Sequence, residues 1–240
     1  MIKWIFKWLL RLFVLAVVLI VVFFLSLNSI LRVVIAHNIR AQTGMDAEIG
    51  KFSLRFTGPA IEIKDLKIYN PPSFGGTLFL DIPEIHADFD RAAFLRRELH
   101  LTLLRFDLGE LDIVKNEAGR TNIFSLGGAV SVKNPGGGQP KIDFKKQTGY
   151  DFKGIDVLTV WVGTAKYIDL KDQRNNRTQK IDIEGWPLRN VKSPADLIPL
   201  MVFVELRSNY FFSSTLGPKD LQTGNSPTLQ GVLKLISIAF

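Results

Sequence analysis

Three acids, Asp107, Glu110 and Asp112, crowd one short stretch of this chain. Paired carboxylates are the groups that hydrolyse glycosides, one as acid and the other as base or nucleophile. Nothing near them supplies a pocket or a second base at defined spacing, so they read as a charged turn between two strands. His86 stands among Asp81, Glu84, Asp88 and Asp90, and His100 follows on the next run. Imidazole with carboxylates can hold a divalent ion, but strand alternation is expected to scatter these side chains over both faces. His37 stands alone, an interfacial polar residue with no partner at helical spacing. The chain has no cysteine, which excludes disulfides, thiolate metal sites and thiol nucleophiles together. The stretch "GGAVSVKNPGGG" has the glycines of a phosphate loop without its Lys-Ser/Thr order. No enzyme, metal or cofactor is expected from these residues.

The net charge of +7 suggests nucleic acid until it is divided along the chain. Residues 1–40 hold Lys3, Lys7, Arg11, Arg32 and Arg40 with no acid, and the remaining 200 residues are close to balance at +2. No basic face is left for phosphates, and no nucleic-acid partner is expected. The basic residues instead flank an apolar segment. Leu12 to Leu25 contains no polar residue, and Trp8 to Leu27 makes 20 residues with Arg11 as the single charge. At ~1.5 Å per residue such a helix spans the ~30 Å hydrocarbon core. Trp4 and Trp8 stand where an aromatic belt belongs. A cleaved signal peptide would have a shorter apolar region and a small-residue cleavage site, neither of which is present here.

The reading is therefore a single-pass anchor. It places a cytoplasmic N-terminus at 1–7 and a transmembrane helix at 8–27, carried by Trp8, Leu12, Leu19 and Phe24. A helical connector over 28–44 stops at Gly44. The excess of positive residues on the N-terminal side keeps that end inside and the bulk of the chain outside.

After Gly44 the period changes from helical to alternating. Runs at 47–56, 60–70, 77–90, 99–108, 109–116, 152–170 and 178–191 read as strands, with the 152–170 run broken near Gly163 and a last strand at 228–240. The pairs Ile61/Ile63 and Leu66/Ile68 slip phase at Asp65, which predicts a bulge. A short helix over 90–98 takes Asp90 as N-cap, and a second helix near 194–206 takes Ser193 as N-cap and Pro194 at its first position. Pro187 predicts an edge or bulged position. The fold class is mainly β, about ten antiparallel strands with one or two short helices behind the anchor. A first β segment covers 45–126, a Gly/Pro-rich loop 127–150, and a second β segment 151–240.

These motifs resemble a known family. "TGMDAEIGKFSLRF" behind an anchor, "IEIKDLKIYNPPSFGG", and "PEIHADFDRAAFLRRELHLTLLRFDLGELDIVKNEAGRTNIFSL" look like the amino-terminal module of AsmA-like proteins. "VLTVWVGTAKYIDLKDQRNNRTQKIDIEGWPLRNVKSPADL" is similar to that family's later segment. The matching positions are Gly44, Asn70, Pro71, Asn122, Tyr167 and Asp169.

The resemblance implies an inner-membrane-anchored bacterial protein with its body in the periplasm. It implies a sheet curled into a β-groove whose apolar face carries phospholipid or other acyl chains, in lipid transport or envelope biogenesis. Candidates to line that groove are Ile61, Ile63, Leu66, Ile68, Leu78, Leu80, Leu101 and Leu103. Ten strands at ~4.8 Å spacing give a groove of only ~50 Å, so other envelope proteins or self-association would have to complete a conduit. The alternative is an anchored closed sandwich of the late-embryogenesis type, with an Asn-Pro step and no groove. An outer-membrane barrel signal in "LISIAF" is set aside because such barrels keep no helical anchor.

Overall fold

The structure is a computed structural model that describes residues 2–55, 58–122, 145 and 148–215. Helix α1 (Ile2–Thr43) leads into strands β1 (Asp46–Arg55), β2 (Ala60–Tyr69) and β3 (Leu78–Phe89). A short helix α2 (Arg91–Leu95) connects to β4 (Glu98–Lys115). Strands β5 (Asp151–Asp169) and β6 (Arg177–Val191) follow, then helices α3 (Ile198–Arg207) and α4 (Phe211–Thr215). The proposed last strand at 228–240, and residues 127–144 of the loop, lie outside the described residues.

The six strands form one open sheet in chain order, β1-β2-β3-β4-β5-β6. All neighbours are antiparallel except β4 and β5, which run parallel. The expectation of about ten antiparallel strands is corrected on three counts. The runs at 99–108 and 109–116 are one strand, so Gly109 is no turn, and the three acids around it lie along a single strand. The run around Gly163 is also continuous. The 35 residues between the end of β4 and the start of β5 are enough to carry the chain back to β4's starting end, so β5 enters parallel. A two-sheet sandwich is not what the described residues form.

The register explains why the sheet has two unlike faces. Leu54, Ile61, Ala87, Leu104, Leu158 and Leu188 line up as one row across all six strands, and Phe52, Ile63, Ile85, Phe106, Val160 and Trp186 as the next. Lys51, Lys64, Glu84 and Asp107 share a row on the opposite face, as do Ser53, Glu62, His86 and Arg105.

Between these regions one line of irregular positions crosses the sheet: Gly50, Asp65, Pro83, Gly109, Gly163 and Asp182. None of the six has a ladder partner, and Asp65 and Asp182 hold left-handed backbone at φ 52° and 49°. The apolar phase slips there on β1 to β5, from Ile49 to Phe52, Ile63 to Leu66, Ile82 to Ile85, Leu108 to Leu111 and Val162 to Ala165. On β6, Ile181 and Ile183 keep phase across Asp182, and the slip comes next to it, from Ile183 to Trp186 around Gly185 at φ 61°. Close backbone approach requires some of these residues. A Cβ on Gly50 would stand 2.9 Å from Asp65 Cβ, and one on Gly163 would collide with the Gly109 carbonyl oxygen.

Helices guard both sheet edges, which otherwise present unpaired backbone groups. On the β1 edge, Asn28 Oδ1 accepts from the Leu54 amide at 3.2 Å, and Arg32 donates to the Gly50 carbonyl at 3.1 Å. Ile35 and Ile39 of the same helix are buried in the core. On the β6 edge, Arg207 of α3 donates to the Ile181 carbonyl at 3.2 Å, and Phe203 stacks on Trp186 with centroids 4.0 Å apart. Pro187 lies on this edge strand, where its missing donor costs nothing.

Helix α1 absorbs the expected connector, and Gly44 stops it at φ 70°. The helix is bent by 41° between arms Lys7–Phe23 and Ser26–Ala41. Among the described residues no single helix is long and apolar enough to cross a membrane. The two arms together meet the length and composition of a span.

Candidate functional site: an apolar face between two polar ends

The apolar face gathers most of the residues picked out as groove lining. Ile61, Ile63, Leu66, Ile68 and Leu80 share it through direct register, with Ile63, Leu66, Ile68 and Leu80 buried. Leu101 joins the face opposite Ile155 and is buried, while Leu78, in phase with Leu80, is half-buried. Leu103 does not belong. It is in phase with Arg105 and pairs with Asp88 and Val157, so it falls on the polar face. Leu80 and Leu101 are core residues, and a charge at either would unfold the sheet rather than probe a cargo. The anchor residues Trp8, Leu12 and Leu19 are exposed along the first arm of α1, and Phe24 lies in the helix at its bend.

The motif residues meet at the far end of the sheet, where β2 hands over to β3 and β4 ends. Asn70 Nδ2 donates to the Leu78 carbonyl at 3.1 Å, and its Oδ1 accepts from Asn122 Nδ2 at 2.8 Å. Asn122, fully buried, also donates to the Asp112 carbonyl and accepts from the Val114 amide, at 2.8 and 2.9 Å. Two asparagines 52 positions apart thus tie three strands into one knot. Pro71 holds extended backbone ahead of a 3-10 turn at Pro72–Phe74, and Asn116 reaches that turn through the Ser73 carbonyl at 3.4 Å. Tyr167 pairs with Ile113 and Arg177. Asp169 caps the β5–β6 turn by accepting from the Lys171 and Asp172 amides at 3.0 and 3.1 Å. The Asp172 bond, with the others, holds the Asp169 carboxyl below its ordinary range.

Asp112 is buried in the same end, and its Oδ1 has no hydrogen-bond partner. Burial first, and repulsion from Glu110 second, push its carboxyl up to about 7. The native state therefore binds a proton that the unfolded chain, with an ordinary carboxyl, has already released. Stability from this group is fully present below about pH 4 and is lost as pH rises towards 7. The variant Asp112→Asn is expected to flatten that slope in urea titrations between pH 4 and 7 and to be the more stable protein above it. An unchanged slope would show that Asp112 is not the responsible group. Glu110 beside it is held by Lys166 at 2.6 Å, and burial, with repulsion from Glu84 and Asp81, raises Asp107.

Alternation does not scatter the residues around His86, contrary to expectation. Glu84 and His86, two apart on β3, share a face by alternation itself, and the β2–β3 register sets Glu62 opposite His86, with ligand atoms within 4.8 Å of one another. Lys64 already holds Glu62 at 2.8 Å, and Asp88 holds His86 at 3.1 Å. The group reads as a compensated charge row across the polar face.

The near end of the sheet was not foreseen as a site at all. There a cavity of about 330 Å³ opens between α2 and the β5 and β6 strands, lined by Asp90, Arg96, His100, Lys153, Asp156 and Lys192 among others. His100 Nε2 stands 2.8 Å from Asp156, and Nδ1 stands 3.8 Å from Asp90. Asp90 caps α2 as expected, accepting from the Ala92 and Ala93 amides at 2.7 and 3.2 Å. The "DRAAFLRRE" segment carried the only sequence signal of this end. Comparison with protein-family models, curated proteins and solved structures finds no match.

Proposed function

We propose that this chain is a membrane-anchored module of AsmA-like type that holds lipid acyl chains against the apolar face of its open sheet. It does so on the outer side of a bacterial inner membrane, with its N-terminus in the cytoplasm, and serves lipid transport or envelope biogenesis. The observation that carries the reading is the pair of apolar rows, unbroken across six strands, with the charged rows all on the opposite face. A groove about that face would draw on the line of irregular positions across the sheet, since a bulge bends the strand that carries it.

Position supports it as well. The row from Leu54 through Ile61 to Leu188 lies towards the end of the sheet from which the first arm of α1 departs, since Asn28 sits against Leu54. Leu54, Ile61 and Leu188 are only half-buried, so this margin is where a chain from the bilayer would enter. Six strands at ~4.8 Å spacing make a face about 24 Å across, against ~15 Å for the hydrocarbon of one leaflet. That holds an acyl chain and does not bridge an envelope, so partners or further copies complete any conduit.

Photocrosslinking tests the reading in the full-length protein in its membrane. A benzophenone side chain in place of Ile61 is expected to give adducts of lipid mass on irradiation, and one in place of Lys51, on the polar face, to give none. Adducts at neither position, or equally at both, would sink it.

A further inference from the structure

We infer that the α2 tip is a second membrane contact, an interfacial wedge that seats the sheet against an anionic lipid surface beside the anchor. The inference rests on the anchored reading of α1.

The geometry starts from α1. Arg40 pairs with Asp46 at the start of β1, Arg32 bonds Gly50, and Asn28 bonds Leu54 near its end. The helix therefore tracks β1, and everything before Asn28 lies beyond the Arg55 end of the sheet. Arg55 pairs with Ala60, and Ala60 with Asp88, two residues from α2. The tip thus projects from the same end as the apolar arm, two strand spacings from β1, or ~10 Å across the sheet.

Its chemistry suits the interface. Leu95 is 76% exposed, the highest value among the large apolar residues of the described chain. Phe94 is partly exposed and anchored from below, stacked on Tyr150 at 4.7 Å and tilted against Phe89 at 5.2 Å. An exposed leucine on a rigid aromatic base costs solvation in water and gains it among acyl chains. Three arginines, Arg91, Arg96 and Arg97, surround it. Arg96 is committed to Glu98 at 3.1 Å, whereas Arg91 and Arg97 have no ionic partner among the described residues. Asp90 is spent as the cap of α2. The tip's unspent charge is therefore positive, the sign that anionic headgroups attract. The left-handed backbone at Arg97, φ 61°, turns the chain into β4 so that the apolar pair stays at the apex.

The absence of cysteine makes the test direct, because single-cysteine variants of the full-length chain carry one label each. Leu95→Cys, Leu19→Cys and Arg174→Cys are labelled with an environment-sensitive fluorophore and reconstituted in phosphatidylcholine/phosphatidylglycerol vesicles containing spin-labelled lipid. Arg174, 90% exposed in the β5–β6 turn, marks the opposite end. The expected result is blue-shifted emission, quenched by shallow spin labels, at position 95, deep quenching at 19 and none at 174. Quenching at 19 without quenching at 95 would overturn the tip while the anchor stands, and no quenching at 19 would overturn both. Arg91→Glu is expected to reduce quenching at 95, and unchanged quenching would overturn the part given to the arginines.

Discussion

Replacing Asn122 by alanine is expected to lower the stability of the folded domain by about 3 kcal/mol, the scale for orphaning several buried polar groups at once. Asn122 is fully buried and makes three bonds, to Val114 N–H, the Asp112 carbonyl and Asn70 Oδ1. Alanine removes all three partners without admitting water. Urea unfolding of the full-length chain in mild detergent, followed by tryptophan fluorescence, measures the loss. The double-mutant cycle with Asn70→Ala is more diagnostic, because the two asparagines share a bond at 2.8 Å. Their effects should be markedly less than additive. A loss below about 0.5 kcal/mol, the scale of an ordinary surface substitution, or strict additivity, would remove the knot from the account of stability.

The Gly163→Ala variant is expected to be destabilised by about 3 kcal/mol or to fail to accumulate, at the upper end of overpacking costs. The added methyl would meet the Gly109 carbonyl oxygen, a backbone atom in the middle of the parallel β4–β5 pair that no side-chain rotation relieves. Gly109→Ala supplies the comparison. Its methyl would stand 3.1 Å from Pro83 Cγ, tight but against a side chain, so the cost should be smaller. Equal melting temperatures for the two variants, or a tolerated Gly163→Ala, would show that the crossing line is not closely packed at that point.

The line itself was half legible. Asp65 announced a phase slip on one strand, and the same three-residue apolar step recurs in the sequence as Ile49/Phe52, Ile82/Ile85, Leu108/Leu111 and Val162/Ala165. On single strands these steps read as ends and turns, which split β4 at Gly109 and β5 at Gly163. Only pairing shows that they stand side by side, because a bulge on one strand propagates when its neighbour must keep register. Leu103 was misplaced for a related reason. The slip between Leu101 and Leu104 reverses the face of the intervening residues, and alternation counted through it gives the wrong side.

What the sequence by itself determined about this protein is local. The apolar N-terminal run with its flanking basic residues, the change of period after Gly44, and the cap at Asp90 follow from periodicity and from backbone chemistry within a few residues, whereas Ser193 opens a 3-10 turn over Pro194–Leu197 ahead of α3. The tertiary structure alone decided the parallel entry of β5, the meeting of Asn70 with Asn122, and the gathering of α1, α2 and the half-buried margin of the apolar face at one end of the sheet. These depend on contacts across tens of positions, and strand order and chain reversals over long loops, rather than local propensity, determine which distant residues become neighbours.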